Sequence, residues 1–351
     1  MSKRVMMKGN IALAEGAVIA GCRFYFGYPI TPQNEIPEYM SSRLPEIGGT
    51  FVQAESELAS INMVLGAAST GARAMTTTSS PGFSLMQEGV SYLAACHLPC
   101  LLANVQRGGP GLGNINASQA DYFQATKGGG HGDYHTIVLA PNSPQEMMDF
   151  AILGFELADK YRTPSLILSD GVIGLMMESV EVRDDYKPNF PSKPWALTGC
   201  KDRPKNVIRS LWLDQDGVPL NNDKLQAKYR EIEKNEIRYE EYLTEDAEAV
   251  IIAYGLSSRI SRDVIEHMRG EGHKVGLFRP ITLYPFPYKR IAELAGKGVK
   301  KILTVEMSAG QMVEDVRLAV ECKIQVEFYG ELGGYFPSEA EIYKRMKALL
   351  K

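Results

Sequence analysis

Two glutamates, Glu55 and Glu57, open a segment of the sequence whose apolar residues have helical spacing. Ile61 and Val64 follow Glu57 by one and two turns, so the carboxyl group of Glu57 has apolar neighbours on the helix surface. Apolar surroundings raise the pKa of a carboxyl group and let it hold a proton near neutral pH, which suits acid–base chemistry. The flank of Glu55 is more polar. The alternative role, complementing the helix dipole, therefore fits Glu55 better than Glu57.

A second group of residues is suited to binding an anion. Thr31 is a good N-cap and Pro32 a good first helical residue, so a helix is predicted to begin there, after the strand-like run 24–28. A helix N-terminus attracts negative charge, and Arg107, directly after another strand-like run, can hold a carboxylate by paired hydrogen bonds. The alternatives are a cap without a ligand and an ion pair between Arg107 and an acidic residue of this chain or a neighbour.

A hydroxyl-rich turn, TTTSSPG at residues 76–82, lies between a strand-like run and a helical segment. Thr78, Ser79 and Ser80 offer hydroxyl and backbone donors, and Gly82 permits the close approach of another group. Ordinary strand-to-helix turns have similar compositions, so this turn is weak evidence by itself.

Other ligand-binding chemistries have less support in the sequence. The glycine-rich segments 107–113 and 128–133 match neither G-x-G-x-x-G nor a P-loop, which disfavours a dinucleotide fold. His131 and His135 flank a glycine and lack a second ligand pair, so a metal site there is disfavoured. The five cysteines are scattered and odd in number, as expected of reduced thiols in a cytoplasm. We therefore expect no metal and no iron–sulfur ligand set on this chain.

Alternating strands and helices must position these residues. Strand-like runs and helical segments alternate from residue 9 to residue 170, which is the pattern of a parallel sheet with helices on both faces. A second, shorter α/β series begins at residue 249. The predicted strands are 24–28, 50–53, 73–77, 99–105, 136–140, 164–169, 250–254, 274–278, 301–305 and 324–328.

The predicted division of the chain is a doubly wound α/β unit at residues 1–177, an arm and linker helix at 178–246, and a smaller α/β unit at 247–351. The arm is rich in Pro, Lys and Asp. The charged helix that follows it has a narrow apolar seam, interrupted at residue 236, made of Leu225, Tyr229, Ile232, Tyr239 and Leu243. This seam can pack against another chain or back on its own domain, and both interpretations stay open.

The composition of the 351 residues excludes several classes of protein. A hydrophobic content of 44% with 23% charged residues is typical of a globular protein. The net charge of −4 shows no basic excess, which argues against a nucleic-acid partner. No apolar run is long enough for a membrane span, and Glu15 interrupts the apolar stretch near the N-terminus, which argues against a signal peptide. The expected location is the cytoplasm.

Taken together, these segments resemble the pyrimidine-binding α subunit of the 2-oxoacid:ferredoxin oxidoreductases, over nearly the whole chain. The most specific signals are YPITP at residues 28–32 and the Ser-Glu pair at 56–57 in combination. GLFRP and YPFP, within residues 276–287, are similar to the family's second domain. The resemblance implies a thiamine-diphosphate pyrimidine-binding sheet followed by a transketolase-C-terminal-like domain.

The resemblance also implies roles for the residues singled out above. Glu57 corresponds to the glutamate that hydrogen-bonds N1′ of the cofactor's aminopyrimidine and favours its reactive tautomer. Thr31 and Arg107 correspond to the threonine and arginine that bind the carboxylate and carbonyl region of the 2-oxoacid. The expected contacts of the cofactor, thiamine diphosphate, are Tyr28, Pro29, Glu57, Thr78, Ser79 and Ser80.

One departure from the thiamine enzymes concerns the diphosphate. The Gly-Asp-Gly motif is missing, since the nearest strings, at residues 169–171 and 215–217, lack the first glycine. By resemblance, a partner β subunit carries the Mg²⁺–diphosphate site and a [4Fe–4S] cluster, and a γ subunit helps to bind coenzyme A. A ferredoxin-like δ subunit is a further candidate. The cofactor would then lie between the α and β subunits.

The expected reaction is the oxidative decarboxylation of a 2-oxoacid with coenzyme A and ferredoxin. The type acting on branched-chain 2-oxoacids, such as 3-methyl-2-oxobutanoate, looks closest, with 2-oxoglutarate and then pyruvate as alternatives. Related 2-oxoglutarate enzymes tend to have a Pro-Thr pair where this chain has residues 114–116, Asn-Ile-Asn. A non-catalytic assembly subunit is the alternative from another class.

Overall fold

Strands and helices alternate along the first half of the chain in the computed structural model, which describes residues 3–183 and 185–351. The elements of this half are β1 (Arg4–Lys8), α1 (Gly9–Ile19), β2 (Phe24–Gly27), α2 (Glu35–Glu46), β3 (Thr50–Gln53), α3 (Glu57–Ser69), β4 (Ala74–Thr78), α4 (Ser80–Ala95), β5 (Cys100–Gln106), α5 (Tyr122–Thr126), β6 (Ile137–Leu139), α6 (Pro144–Tyr161), β7 (Pro164–Asp170), α7 (Gly171–Leu175) and β8 (Met177–Glu181).

After an extended arm, the second half begins with a charged helix and ends in a smaller α/β unit. Its elements are α8 (Gly217–Asn235), β9 (Tyr239–Tyr242), β10 (Ala249–Ile252), α9 (Gly255–Gly270), β11 (Val275–Pro280), β12 (Thr282–Tyr284), α10 (Tyr288–Gly296), β13 (Lys301–Glu306), α11 (Met312–Ala319), β14 (Gln325–Gly330) and α12 (Glu339–Leu349). Among the described residues, no helix is long and apolar enough to cross a membrane.

Seven strands form the main sheet in the order β12–β6–β7–β5–β4–β2–β3. The pairs from β6 to β3 are parallel, and β12 joins β6 in the antiparallel sense. Every residue of β5 and β7 is buried. Helices cover both faces of a parallel sheet, and this burial explains why its strands are rich in apolar residues. The predicted doubly wound α/β fold is confirmed.

Separate hydrophobic cores lie on the two faces of this sheet. On one face, α1 and α6 contribute Leu13 and Phe155 to a core that also includes residues of α2. On the other face, α3 and α4 contribute Ile61 and Val90. The second core continues into the smaller unit, where it includes Ile302 of β13. The two α/β units therefore share apolar packing.

The smaller unit has a five-stranded sheet in the order β14–β13–β10–β11–β9, in which only β9 is antiparallel to its neighbour. β9 lies in the predicted linker at 178–246, yet it pairs with β11. β12 lies in the predicted last unit at 247–351, yet it pairs with β6. Each sheet thus receives a strand from beyond a predicted boundary, and the three-part division itself stays a prediction.

Buried polar groups fix the two units relative to each other. The amide of Gln119 donates to the carbonyl of Tyr254 at 2.9 Å and accepts from the backbone N–H of Met307 at 3.0 Å. The guanidinium of Arg279 donates two hydrogen bonds of 2.7 Å to the carboxylate of Glu146. Such paired, charge-assisted bonds set orientation as well as distance.

The helix predicted to begin at Pro32 begins at Glu35 instead, so the prediction that Thr31 is its N-cap is wrong. The cause is a contact from far along the chain. The side-chain amide of Asn10 donates to the carbonyl of Pro32 at 2.8 Å and to the carboxylate of Glu35 at 2.9 Å. The Pro32 carbonyl is thereby used outside the helix, and the chain makes a turn before α2 starts.

The charged helix α8 ends at Asn235, so the interpretation of residues 239 and 243 as part of its apolar seam is wrong. Residues 239–242 form β9, where pairing with β11 overrides the helical spacing. Leu225, Tyr229 and Ile232 are buried in the core of their own chain. This part of the seam therefore packs back on its own domain and is not offered to another chain.

Candidate active site

The predicted site residues lie together at one edge of the main sheet. β5, β4, β2 and β3 are neighbours and run parallel, so their carboxyl ends lie side by side. Residues 107, 78–80, 28–31 and 55–57 lie at those ends or within four residues of them. In open parallel sheets this is the edge at which ligands bind.

The two glutamates have different surroundings. Glu57, the first residue of α3, is only 4% exposed, whereas Glu55 is exposed. Ile61 and Val64, one and two turns further along α3, are fully buried. The hydroxyl of Thr78 donates to Oε1 of Glu57 in a long hydrogen bond of 3.4 Å. Glu57 therefore lies beside the carboxyl end of β4 and has apolar neighbours on its helix, whereas Glu55 is exposed to solvent.

Gly82, in the first turn of α4, lies directly against the Glu57 carboxyl group. A Cβ atom at position 82 would overlap Oε1 of Glu57 and the hydroxyl oxygen of Thr78. Only glycine allows the first turn of α4 to approach these two groups so closely. The sequence motif around Gly82 thus packs against a carboxyl group and is not a free loop.

Arg107 is held by backbone carbonyl groups. Its Nη1 donates to the carbonyl of Thr31 at 3.0 Å and its Nη2 to that of Leu112 at 2.9 Å. Its Nε is buried and has no partner in the described part of the chain. The Thr31 hydroxyl accepts from the side-chain amide of Asn34 at 3.0 Å and keeps its own hydrogen available as a donor. The structure therefore brings Arg107 and the Thr31 loop together.

Behind Arg107 lies a polar network that the sequence motifs do not identify. The Ser80 hydroxyl donates to the carboxylate of Asp121 at 2.5 Å and accepts from the backbone N–H of Arg107 at 3.0 Å. Asn104, in β5, donates to the same carboxylate at 2.9 Å. Burial raises the pKa of Asp121 above its usual value. Ser80 therefore binds within its own chain, and its expected cofactor contact has no free hydroxyl hydrogen to donate.

The other expected cofactor contacts are free or exposed. The Ser79 hydroxyl is fully buried and has no partner among residues 3–183 and 185–351. Tyr28 and Pro29 are exposed. Gln33, which the motifs also missed, accepts from the Thr77 hydroxyl at 2.5 Å and donates to the carbonyl of Tyr28 at 3.3 Å. This buried network holds the YPITP loop on the end of β4.

A sequence signal existed for part of these networks. Asn104 and Gln106 are polar residues in the otherwise apolar strand β5, and both are fully buried. Buried polar side chains need hydrogen-bond partners, so their presence in a parallel strand indicates a network. The sequence does not show that Asp121 is the partner of Asn104, because Asp121 lies on a separate segment after the glycine-rich loop.

Several large apolar side chains on the elements that follow these strand ends are exposed to solvent. Leu112, on the loop that Arg107 contacts, is 80% exposed. The others, on α3, α4 and the same loop, are Leu58, Met63, Leu85 and Ile115. Exposed apolar patches of this kind mark surfaces that contact another molecule.

The other chemically suggestive motifs serve the fold. His135 stacks on Tyr284, with ring centroids 4.2 Å apart, and within the described residues no group of three or more metal-ligating side chains is found. Asp170, in the Ser-Asp-Gly string, accepts from the backbone N–H groups of Val172 and Ile173 with one oxygen and of Leu256 with the other. Both oxygens of Asp170 are thus used by helix N-termini of this chain.

Residues 15–213 match the family model described as pyruvate flavodoxin/ferredoxin oxidoreductase, thiamine diphosphate-binding. Residues 247–342 match that of the pyruvate:ferredoxin oxidoreductase core domain II. The chain belongs to this family of thiamine-dependent 2-oxoacid:ferredoxin oxidoreductases. The fold resemblance read from YPITP and the Ser-Glu pair is thereby confirmed, and the first α/β unit is a thiamine diphosphate-binding domain.

Two members of the family are similar over nearly their whole length, and a solved member is similar over about two thirds of its own. The ketoisovalerate oxidoreductase subunit VorB of Methanothermobacter marburgensis is 50% identical, over 98% of this chain and 97% of its own. The 2-oxoglutarate synthase subunit KorA of Methanocaldococcus jannaschii is 39% identical, over 95% of this chain and 97% of its own. The solved 2-oxoglutarate:ferredoxin oxidoreductase of Magnetococcus marinus superposes with a TM-score of 0.90 at 28% identity, over all of this chain and 66% of that one.

The contact between Gly82 and Glu57 predicts the effect of adding a methyl group. Gly82→Ala forces apart the α4 turn, the Glu57 carboxyl and the Thr78 hydroxyl, and overpacking of this kind costs about 1–3 kcal/mol. Gly66→Ala is the matched control, because Gly66 lies in α3 with open space around its Cα. We expect Gly66→Ala to be neutral or to stabilise by up to about 1 kcal/mol. Urea unfolding of the purified chain measures both, and equal stability of Gly82→Ala and the wild type would contradict the close contact.

Proposed function

We propose that this chain is the pyrimidine-binding subunit of a complex that converts a 2-oxoacid, coenzyme A and oxidised ferredoxin into acyl-CoA, CO₂ and reduced ferredoxin. The observation that carries the proposal is the buried Glu57, held by Thr78 and Gly82 at the carboxyl edge of a thiamine diphosphate-binding sheet. A branched-chain 2-oxoacid such as 3-methyl-2-oxobutanoate is the proposed substrate, because identity to the ketoisovalerate subunit is 50% and to the 2-oxoglutarate subunit 39%.

The residues at this edge fit thiamine diphosphate. Glu57 is proposed to hydrogen-bond the aminopyrimidine ring through its carboxyl group, which is buried on an apolar flank. The buried, unpartnered hydroxyl of Ser79 and the exposed Tyr28 and Pro29 are the remaining candidate contacts. When bound, the cofactor supplies the nucleophilic carbon and the electron sink that decarboxylation needs.

Arg107 and Thr31 are the proposed 2-oxoacid contacts. Arg107 keeps a buried Nε–H without a partner in the described residues, and the Thr31 hydroxyl keeps a free hydrogen. A carboxylate that enters between them would accept hydrogen bonds from both side chains. Its charge would also compensate the half-buried guanidinium, which pairs with no carboxylate of the described chain.

The diphosphate half of the site is proposed to lie on another subunit. The Ser-Asp-Gly string cannot hold a metal ion through Asp170, because helix N-termini occupy both of its oxygens. A β subunit carrying Mg²⁺ and a [4Fe–4S] cluster would cover the apolar rim around Leu112. A γ subunit, with a ferredoxin-like δ subunit as a further candidate, would complete the coenzyme A and ferredoxin sites. A cytoplasmic location belongs to the same proposal and is supported by the five free cysteines.

Purification of the chain alone and of the complete complex tests the proposed function. The isolated chain should bind thiamine diphosphate weakly or not at all in calorimetry with Mg²⁺, because it has only one half of the site. The complex should reduce ferredoxin with 3-methyl-2-oxobutanoate at a higher kcat/KM than with 2-oxoglutarate or pyruvate. Tight binding by the isolated chain would contradict the divided site. A preference for 2-oxoglutarate would establish the second candidate substrate instead.

The different burial of the two glutamates predicts different effects of the same substitution. Glu57→Gln removes the carboxyl group that is proposed to take part in proton transfer with the cofactor and should lower kcat of the complex by about 10²–10⁴-fold. Glu55→Gln is the matched control, because Glu55 is exposed at the same helix end and should change kcat little. Steady-state ferredoxin reduction measures both variants, and circular dichroism checks that the fold is kept. Equal effects on kcat would remove the distinction between the two residues.

The contacts of Arg107 predict how a conservative substitution acts. Arg107→Lys keeps the charge but loses the planar guanidinium, and a lost charge-assisted hydrogen bond corresponds to about ten- to a hundredfold in kcat/KM for the 2-oxoacid. Arg345→Lys, on the exposed side of α12, is the control and should leave kcat/KM unchanged.

Size-exclusion chromatography of the Arg107→Lys complex separates a substrate role from an interface role. An intact complex with a lowered kcat/KM supports the clamp. Dissociation of the complex, or an intact complex with unchanged kcat/KM, removes Arg107 from the substrate site.

A further inference from the structure

A cavity of about 800 Å³ lies at the opposite edge of the main sheet from the candidate active site. His97 and Arg162, which line it, come directly before β5 and β7, so they mark the amino ends of these strands. Residues of α8 and of the extended arm line its other sides, and the cavity is open to solvent. β5 has seven residues, and a strand rises about 3.3 Å per residue, so about 20 Å separates the cavity from Arg107. The cavity is therefore a separate site.

Basic side chains from three parts of the chain line this cavity. They are Lys160, Arg162, Arg209, Lys224 and Lys228. Glu236 pairs with Lys160 at 2.6 Å, and Asp214 lies 3.7 Å from Arg209. For Arg162, Lys224 and Lys228, no carboxylate partner is found within residues 3–183 and 185–351. Three basic side chains without a carboxylate partner thus converge on one concave space.

The contacts of Lys228 are to neutral groups and do not compensate a positive charge on it. Its ammonium group donates to the carbonyl of Arg162 at 2.7 Å and lies 2.8 Å from Nδ1 of His97. Burial lowers the pKa of His97 to about 4, so the imidazole is neutral and can accept this hydrogen bond. Burial and the nearby Arg162 lower the pKa of Lys228 to about 7. An anion in the cavity would favour the charged form of the lysine and so oppose the effects of burial and of Arg162.

The two arginines are held in place by aromatic rings. The guanidinium of Arg162 lies 4.5 Å from the ring centroid of Trp195, and that of Arg209 lies 4.0 Å from that of Trp212. A guanidinium stacked on an indole has lost much of its conformational freedom, while its N–H edges stay open to an oxygen acceptor. The volume falls within the range of about 300–1,000 Å³ that is usual for small-molecule sites.

We propose that this cavity binds a small molecule that carries one or more phosphate groups, with Arg162, Lys224 and Lys228 as the phosphate contacts. Phosphate oxygens accept several hydrogen bonds at once, and donors from three separate segments converge here. An acidic peptide segment would need an extended groove, whereas this site is concave and of nucleotide size. Inorganic phosphate, diphosphate and a nucleotide share this chemistry and are distinguished by the test.

Calorimetry on the assembled complex, saturated with thiamine diphosphate and Mg²⁺ so that the active site is filled, tests the proposal. The probes are inorganic phosphate, diphosphate and ADP, with adenosine as the uncharged control. We expect at least one phosphate probe to bind and adenosine not to bind. ADP binding more tightly than diphosphate identifies a nucleotide site, and equal affinities identify a site for the phosphate groups alone.

Three lysine variants on α8 locate the binding. Lys228→Gln should weaken it by about ten- to a hundredfold, and Lys224→Gln, which is exposed and cannot disturb the core, should weaken it in the same direction. Lys234→Gln, exposed on the same helix but outside the cavity, should leave the affinity unchanged. None of the three should alter KM for the 2-oxoacid, which separates this site from the proposed active site.

Two results would overturn the proposal. The first is binding that is equally strong in the Lys224→Gln and Lys228→Gln complexes, since the ligand would then lie elsewhere. The second is no binding of any phosphate probe at millimolar concentration. If Lys224→Gln also dissociates the complex in that case, the cations serve an acidic surface of another subunit.

Discussion

The side-by-side alignment of four parallel strand ends is the constraint on which the candidate active site depends. β4 lies between β5 and β2, so its last residue and the turn after it can contact groups that follow each neighbour. Thr78 reaches Glu57 of α3, and Ser80 binds the backbone N–H of Arg107. Side chains alternate between the faces of a strand, so a slip of β4 by one residue would turn Thr78 to the wrong face and break the first contact. The relative positions of the site residues therefore depend on the register of the sheet.

Polar groups at the ends of other strands behave differently. Asp170 at the end of β7 and Glu306 at the end of β13 are buried, and burial raises the pKa of both. Backbone N–H groups of nearby helices donate to both carboxylates and compensate their charge. By contrast, Ser79 and Arg107 keep buried polar atoms without partners among the described residues. Unpaired buried polar atoms are costly, and at this edge the proposed cofactor and 2-oxoacid would supply partners to Ser79 and Arg107.

The two edges of the main sheet also differ in charge and in cover. The carboxyl edge is open and has exposed apolar side chains such as Leu112 around it, as expected of a surface that another chain completes. The amino edge is lined by α8 and the arm, and basic side chains are concentrated there around Lys228. A net charge of −4 for the chain gives no hint of this cluster, since acidic residues elsewhere outweigh it. The net charge of a chain is therefore evidence for or against nucleic-acid binding, but it does not reveal a local anion-binding site.

The sequence by itself determined the fold class, the family and most strands, because buried parallel strands leave continuous apolar runs and because YPITP with the Ser-Glu pair is specific in combination. It also separated Glu57 from Glu55, since helical spacing fixes which neighbours each has. Only the tertiary structure decided where α2 begins and that residues 239–242 form a strand. The start of α2 depends on a hydrogen bond from Asn10, and the strand depends on pairing with β11, and both partners are distant in sequence. The partners of Glu57 and Arg107 and the cation cluster around Lys228 depend likewise on contacts between distant segments. Local sequence patterns contain no information about such contacts, so these features became visible only when strands and helices were packed together.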